Sequence, residues 1–440
     1  MKISKLKKGC HVHLVGIGGI GLSSLARYFI ASEFSVSGSD VSSQEELKNL
    51  GVVFFLGHRK ENLLENTSLL VYSNAILDDN PELVQARKLG IKTQSYPEAI
   101  GEITKNHFTV AVSGTHGKST TTAMLALIMV KAGLDPTVII GTKLKEFNNT
   151  NFRMGNSKYL LLEADEFKAA FLNYYPKIAV ITNIEEDHLD FYKNLEDIIE
   201  TFRKYVRNNL QKNTLIINDD DKNSRLLKET AEGKVITYSL SSKDYQKINL
   251  SVYGKHNHYN AQAALCGALE MGIKRNIANK ALSEFQGSWR RFEEKRVTFK
   301  NNFQGIIIND YAHHPTEIRA TIDAVKEKYP EKEIVLVFQP HQYERTYRLF
   351  DQFKKVLSEI KVHRLLITDI YNVEGRESKK NLEKVSAKML TKEINDSFYT
   401  GNLEETGQYL LNNLQGNEIV VIMGAGDIYN LEGYITKGPK

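Results

Sequence analysis

Cysteine is scarce in this chain. Cys10 and Cys266 lie far apart and show neither metal-ligand nor redox spacing, so a disulfide scaffold and a cysteine-built zinc site are excluded, and a reducing compartment suits the pair. No apolar run approaches the ~18 residues of a membrane span. No H-E-x-x-H pattern occurs, and no internal repeat or low-complexity tract stands out. A concentrated basic tract is also missing: a formal charge of +5 over 440 residues leaves no electrostatic footprint for nucleic acid. The opening "MKISKLKKGCHVHLVGIGGIGL" has the lysines of a signal peptide. Its apolar stretch, however, is broken by His11, His13 and four glycines and offers no small-residue cleavage site. These absences lead to the expectation of a cytoplasmic protein with neither a membrane nor a nucleic-acid partner.

What is present is ordinary globular composition, with 41% hydrophobic and 25% charged residues. Domains usually hold about 100 to 200 residues, so this length suggests two to four; three are expected here. From residue 11 to 100 short apolar runs alternate with helical segments: "HVHLVG", Leu22 to Ala31, "SVSGSD", Gln44 to Leu50, "SLLVYS" and "PELVQARKLG". Strand, helix and strand in that order imply parallel βαβ units. The pattern restarts at "HFTVAVSG", with a helix from Ser119 to Ala132 and buried strands at "KYLLLEAD" and "KIAVITN". It restarts again after "GSWRRFEEK", through "GIIINDY", "EIVLVFQP", "RLLITDIY" and "EIVVIMGAG". The expected fold is α/β in three domains: a Rossmann-like domain over 1–105, a central P-loop domain with a parallel sheet over 106–294, and a C-terminal Rossmann-like domain over 295–440.

Two glycine turns carry the chemistry. Gly16, Gly18, Gly19 and Gly21 form G-x-G-G-x-G between the first strand and helix, where free N-H groups at a helix start suit a pyrophosphate. Asp40 ends the second strand at the distance where a carboxylate reaches a ribose hydroxyl. This fits a nucleotide diphosphate of unspecified kind, a nicotinamide or flavin dinucleotide included, and also a purely structural turn. The second turn, "SGTHGKST", follows a strand and opens a helix. Its Lys118 would neutralise phosphate, its backbone N-H groups would cradle the oxygens, and Ser119 would ligate Mg²⁺. Val112 stands where the general P-loop template wants glycine, but Gly114 and Gly117 remain for close approach. The alternative is a glycine-rich helix cap with a solvated lysine. "LLLEADE" puts Glu163, Asp165 and Glu166 at the end of an apolar strand. "ITNIEEDHLD" puts Asn183, Glu186, Asp187, His188 and Asp190 after the next. Strand carboxyl ends form the ligand crevice of open parallel sheets, and Glu163 with Ser119 is a sensible oxygen pair for Mg²⁺.

Taken together, "HLVGIGGIGL", "SNAILDDNPE", "SGTHGKSTTTAML", "LEADE", "TNIEEDHLD", "GKHNHYNAQAAL", "FQGSWRRFE", "NDYAHHPTEI", "VFQPHQYERT" and "MGAGDI" resemble the Mur ligases, ATP-dependent amide-bond-forming enzymes of peptidoglycan assembly. The likeness spans nearly the whole chain. It implies that Gly16, Gly18, Gly19, Gly21, Asp40 and Ser73 help hold a UDP-sugar, and that Gly114, Thr115, His116, Gly117, Lys118, Ser119 and Thr120 hold ATP. Ser119 and Glu163 would bind one Mg²⁺ and His188 a second. Asn257 and Asn260 would approach adenine, Arg291 would reach phosphate with Arg290 assisting, and Asp310 would join the nucleotide site. Tyr311, His313, His314, His341 and Arg345 would line a closing face near the amino acid. Lys118, His188, Arg291, His313 and Arg345 are the implied catalytic set. Read without the family, "AHHP" is a surface turn opening a helix at Pro315.

Gln342 stands where many relatives have arginine, and Phe167-Lys168 replace a more usual serine and aspartate, so Asp165 and Glu166 receive no role. No carbamylated lysine is assigned. The implied substrates are UDP-N-acetylmuramate and L-alanine in a bacterial cytoplasm, with the protein a monomer or homodimer. The alternatives are a recycling ligase adding a murein tripeptide, a dinucleotide-dependent oxidoreductase and a non-catalytic nucleotide-binding regulator.

Overall fold

The computed structural model describes residues 3, 6–243, 245–373 and 383–437. They divide into two compact units. The first comprises residues 1–185, 196–249 and 259–285 and carries two sheets; the second comprises 186–195, 250–258 and 286–440 and carries the third.

The first sheet is built from β1 (His11–Val15), β2 (Ser35–Asp40), β3 (Val53–Leu56), β4 (Thr67–Tyr72) and β5 (Lys92–Ser95), in the order β3-β2-β1-β4-β5, all parallel. The helix Ile20–Ala31 follows β1 directly and buries Leu22, Leu25, Ala26 and Phe29. Helix Pro81–Lys88 begins where Pro81 presets the first turn and the Asn80 side chain accepts from the N-H groups of Glu82 and Leu83. A capping box between Ser95 and Glu98 starts helix Tyr96–Thr104.

The second sheet contains β6 (Phe108–Ser113), β7 (Thr137–Leu144), β8 (Thr150–Arg153), β9 (Tyr159–Glu163), β10 (Ile178–Ile181), β11 (Thr214–Asn218) and β12 (Val235–Tyr238), in the order β12-β11-β10-β6-β9-β7-β8. β6, β9 and β10 sit centrally, which accounts for their unbroken apolar runs. Helix Lys118–Lys131 begins one residue before the expected start and ends one before the expected end, just short of Gly133.

The third sheet contains β13 (Glu293–Thr298), β14 (Gln304–Asp310), β15 (Glu333–Phe338), β16 (Arg364–Thr368), β17 (Ser397–Gly401) and β18 (Glu418–Met423), in the order β13-β14-β18-β15-β16-β17. β18 is buried along its whole length. Its insertion between β14 and β15 brings the loops after these three strands to one edge.

Two edge strands depart from the parallel reading. β8 returns antiparallel to β7 through a turn in which Asn148 and Asn149 take φ of 55° and 56°, a conformation asparagine tolerates. β13 runs antiparallel to β14, and its polar "EEKRVT" suits an edge that must stay soluble.

Candidate active site

At the carboxyl end of β1, Gly16 takes φ +82°, and a Cβ there would crowd the Ser73 side chain, which explains the glycine and puts Ser73 beside the turn. Gly21 packs against the ring of Tyr96, leaving no room for a side chain. Asp40 closes over the same turn: its Oδ2 accepts from the Gly18 N-H at 2.8 Å, and its Oδ1 from the Ser42 N-H and hydroxyl at 3.2 Å. Gly16, Gly18, Gly19, Gly21, Asp40 and Ser73 therefore share one edge of the first sheet.

In the second sheet, the turn between β6 and helix Lys118–Lys131 requires glycine twice, with φ +129° at Gly114 and +79° at Gly117. The loop is fastened to the end of β10. Thr115 N donates to the Asn183 carbonyl at 2.9 Å and His116 N to the Asn183 side chain at 2.9 Å, while the Thr182 hydroxyl donates to the His116 carbonyl at 2.6 Å. Ser119 and Thr120 are buried in the first helical turn. Lys118 bends back over the loop, donating to the carbonyls of Gly114 at 2.7 Å and Thr115 at 3.1 Å and to Glu166 Oε1 at 3.0 Å. Burial alone would lower its pKa. The carboxylates of Glu166, Asp165 and Glu163 outweigh that and hold it above the ordinary lysine value, so the ammonium is fully charged.

Glu163 ends β9 facing the same helix, accepting from the Ser119 hydroxyl at 2.9 Å and the Gly141 N-H at 2.7 Å. Burial raises its pKa despite these donors and Lys118. A half-buried carboxylate beside a buried hydroxyl is an all-oxygen donor set that fits Mg²⁺. Asn260, on helix Lys255–Glu270, turns its Oδ1 toward Gly117 and accepts from the Thr121 hydroxyl at 3.3 Å.

The second unit gathers His188, Asn257, Arg291, Asp310, Tyr311, His313 and Arg345. Asn257 donates to the Tyr253 carbonyl at 2.7 Å. Asp310, at the end of β14, accepts from the N-H groups of Phe292 and Ala312, each at 2.8 Å. Burial nevertheless pushes its pKa up to about 6, with Arg291 and those N-H groups opposing. Arg290 is 4% exposed, donates to the Gly424 carbonyl, and lies between Tyr311 and Tyr429, its guanidinium 4.9 and 4.7 Å from the ring centres. Arg291 lies 5.0 Å from the Tyr311 ring and 3.7 Å from Glu317.

His313 directs Nδ1 to the Tyr311 carbonyl at 2.9 Å, which fixes the proton on that nitrogen; burial lowers its pKa to about 4. Arg345, 9% exposed, donates to Asp187 through Nε at 3.1 Å and to His341 Nδ1 at 3.1 Å. Asp187, His188, Gln342 and Arg345 line one small cavity. His341 stacks on Tyr371 with centroids 5.5 Å apart. His314 serves the fold: it caps helix Pro315–Lys328 and reaches the Glu186 carbonyl at 3.1 Å.

Glu166 of "LEADE" and Thr182 and Asn183 of "TNIEEDHLD" have no role implied by their motifs, yet they hold Lys118 and its loop; no local pattern marks such long-range contacts.

Family comparisons agree with this architecture. Residues 11–108 match the Mur ligase family catalytic domain, 112–268 the Mur ligase middle domain and 290–426 the Mur ligase glutamate ligase domain. The chain belongs to the Mur ligase family, and is thereby an ATP-dependent enzyme that forms amide bonds. It is 38% identical to UDP-N-acetylmuramate--L-alanine ligase of Clostridium botulinum strain Langeland, over 98% of both chains. It is likewise 38% identical to the Aquifex aeolicus enzyme of the same name, over 94% of this chain and 95% of that one. The crystal structure of UDP-N-acetylmuramate-alanine ligase from Thermotoga maritima superposes with a TM-score of 0.80 at 27% identity, covering 96% of this chain and 98% of that one. A murein peptide ligase from Psychrobacter arcticus shares the fold, with a TM-score of 0.72 at 23% identity over 97% of each chain. No helix among the described residues is long and apolar enough to cross a membrane.

Proposed function

We propose that this ligase joins L-alanine to the lactyl carboxylate of UDP-N-acetylmuramate in peptidoglycan precursor synthesis. The observation that carries the reading is the presence of two separate phosphate-type turns in one unit: the Gly16–Gly21 turn with Asp40, and the Gly114–Ser119 loop with its charged lysine. A hydride-transfer enzyme needs only the first. The names of the full-length relatives favour alanine over a tripeptide as the second substrate.

In this reading the first turn and Ser73 hold the pyrophosphate, and the second holds ATP. The lactyl carboxylate attacks the γ-phosphorus, ADP leaves, and an acyl phosphate forms. The free amine of alanine then attacks the acyl carbon, the tetrahedral adduct collapses, and inorganic phosphate departs with the C-O bond pair. Lys118 meets the charge spread over the transferring phosphoryl group, and the loop N-H groups fix its orientation. Ser119 and Glu163 would hold Mg²⁺, which when bound neutralises phosphate charge; His188 is assigned to a second Mg²⁺. From the second unit, Arg291 and Asp310 serve the nucleotide, Tyr311 and His313 the substrates, and Arg345 the developing negative charge. Asn257 and Asn260 are assigned to adenine. The domain limits of 105 and 294 and a cytoplasmic site of action belong to the same proposal.

Phosphate release from Mg-ATP, measured with each component omitted in turn, tests it. Release that requires both UDP-N-acetylmuramate and L-alanine, with an amide product of the matching mass, is expected. Dependence on the murein tripeptide instead moves the enzyme to recycling.

A further inference from the structure

The residues assigned to the UDP-sugar, Gly16, Gly18, Gly19, Gly21, Asp40 and Ser73, carry one carboxylate and no cation. Asp40 also occupies the Gly18 N-H at 2.8 Å, a donor the turn could otherwise give to an anion. No lysine or arginine occurs from Cys10 to Ala26, so the strand and helix start that form the turn supply no positive side chain. A pyrophosphate seated there would bring concentrated negative charge to a turn that offers only backbone dipoles.

A cation reaches this edge from the second sheet. After β9 the chain passes Glu166, the partner of Lys118, and enters the short helical segment Phe167–Asn173, where Lys168 and Ala169 take φ of 51° and 54°. Two successive left-handed residues are unfavourable for any side chain with a Cβ, and the surroundings must hold them there. Phe167 and Phe171 are buried on either side, the Ala169 N-H donates to the Glu166 carbonyl at 2.9 Å, and the Phe171 N-H donates to the Asp165 carbonyl at 3.1 Å. Lys168 itself is exposed, and its Nζ donates to the Asn74 carbonyl at 2.9 Å. Asn74 follows Ser73, whose Cβ lies 3.2 Å from the place a Cβ on Gly16 would take. The ammonium is thus anchored one residue from the Gly16–Gly21 turn, within the same compact unit. An ammonium has three N-H donors. One rests on a neutral carbonyl, and none of the described residues gives Lys168 a carboxylate partner, whereas Glu166 already meets the charge of Lys118.

We propose that Lys168 binds the pyrophosphate of the UDP-sugar, supplying from the second sheet the cation that the Gly16–Gly21 turn lacks, with the left-handed turn at Lys168 and Ala169 aiming it there. The diphosphate is favoured over the lactyl carboxylate because the anchor, Asn74, adjoins Ser73 and Gly16, while the carboxylate must reach the ATP held by the Gly114–Ser119 loop. One bound UDP-sugar then touches both sheets of the unit. The inference deepens the UDP-sugar reading of the first sheet and rests on it.

The test is calorimetric binding of UDP and of UDP-N-acetylmuramate to the full-length wild type, K168A and K168R at low and high salt, with thermal midpoints as a fold control. K168A should weaken both ligands by the same factor, about tenfold, the lower end of a charge-assisted hydrogen bond because Lys168 is exposed to solvent. K168R should keep most of the affinity, and KM for ATP should not move in either variant. The advantage of wild type over K168A should shrink as salt rises, because an exposed ion pair is screened. A lysine that merely ties down the Asn74 loop would show no such salt dependence, and equal loss in K168A and K168R at both salt concentrations overturns the proposal. Unchanged UDP affinity in K168A overturns it while leaving the UDP site standing, and weakening of UDP-N-acetylmuramate alone overturns it by placing the charge on the carboxylate. Failure of UDP to bind the wild type overturns the UDP-sugar reading as well.

Discussion

Lys118 Nζ lies 2.8 Å from Glu166 Oε2, and the Glu166 side chain is 2% exposed, so the lysine assigned to ATP phosphate is already paired with a buried carboxylate. Phosphate must compete with that partner. Removing the competing charge in Glu166→Gln should lower KM for ATP by roughly three- to tenfold, the worth of a charge-assisted hydrogen bond. KM for the UDP-sugar should not move. A rise in KM for ATP would show that Glu166 supports nucleotide binding instead of opposing it.

Lys118→Ala should reduce kcat/KM by about three orders of magnitude, because the charge developing on the transferring group loses its fixed cation. UDP affinity should survive, since the Gly16–Gly21 turn belongs to a different sheet. Steady-state phosphate release and UDP calorimetry on the same preparation separate the two effects. Equal loss of both would deny two independent phosphate sites.

Much of this arrangement could be read from the sequence, for physical reasons. β6, β9 and β10 lie at the centre of a sheet and must be apolar on both faces, and the turn that follows β6 needs glycine where φ is positive. Such constraints leave a local mark. β5, "KTQS", leaves none: it is polar, and only its pairing from Leu69↔Lys92 to Tyr72↔Ser95 makes it a strand. The hydrogen-bond network that His13, Ser39 and Asn62 make around buried Glu82 was equally invisible. Its members come from β1, β2, the loop after β3 and a helix start, and Glu82 itself has the ordinary look of an acidic residue in a first helical turn. At "AHHP" the turn opening a helix at Pro315 was legible, and His314 is the residue that caps that helix.

His313 should make the protein acid-labile in a defined window. Burial, opposed by Glu317 and Asp187 and reinforced by Arg345, lowers its pKa from 6.5 to about 4. Between these values the unfolded chain binds the proton and the folded one does not, so stability is intact above about pH 6.5 and falls as pH drops toward 4. The shift corresponds to on the order of 3 kcal/mol. Urea unfolding of His313→Asn against wild type should show a difference that grows with acidity across that window. His256, lowered to about 4 chiefly by burial, remains in the variant and preserves part of the acid sensitivity.

Gly117→Ala should damage the ATP loop through two separable causes. Gly117 sits at φ +79°, which costs a side chain about 1 kcal/mol, and a Cβ there would run into the Asn260 amide oxygen. The backbone term stays whatever Asn260 becomes, whereas the clash disappears in Gly117→Ala/Asn260→Ala. The double variant should therefore recover part of the unfolding free energy lost in Gly117→Ala, and the coupling should exceed about 0.5 kcal/mol, as for residues in direct contact. Additive losses would show that helix Lys118–Lys131 shifts to accept the methyl group without help from Asn260.

Asp187 and Arg345 offer the sharpest distinction between holding the fold and doing chemistry. Arg345 Nη2 lies 3.1 Å from Asp187 Oδ1, both side chains are under 10% exposed, and Arg345 holds the Asp187 carboxyl well below its ordinary pKa against the opposing effect of burial. Asp187→Ala strands a buried guanidinium and should cost about 3 to 5 kcal/mol in urea unfolding. Arg345→Met with Asp187→Ala removes both charges and should regain most of that stability, because a well-packed apolar pair avoids the desolvation cost. Activity should follow a different course, remaining low in the stable double variant because the arginine assigned to the transition-state charge is gone. If the double variant regains activity along with stability, Arg345 holds this part of the third-sheet unit together and does not act on the substrate.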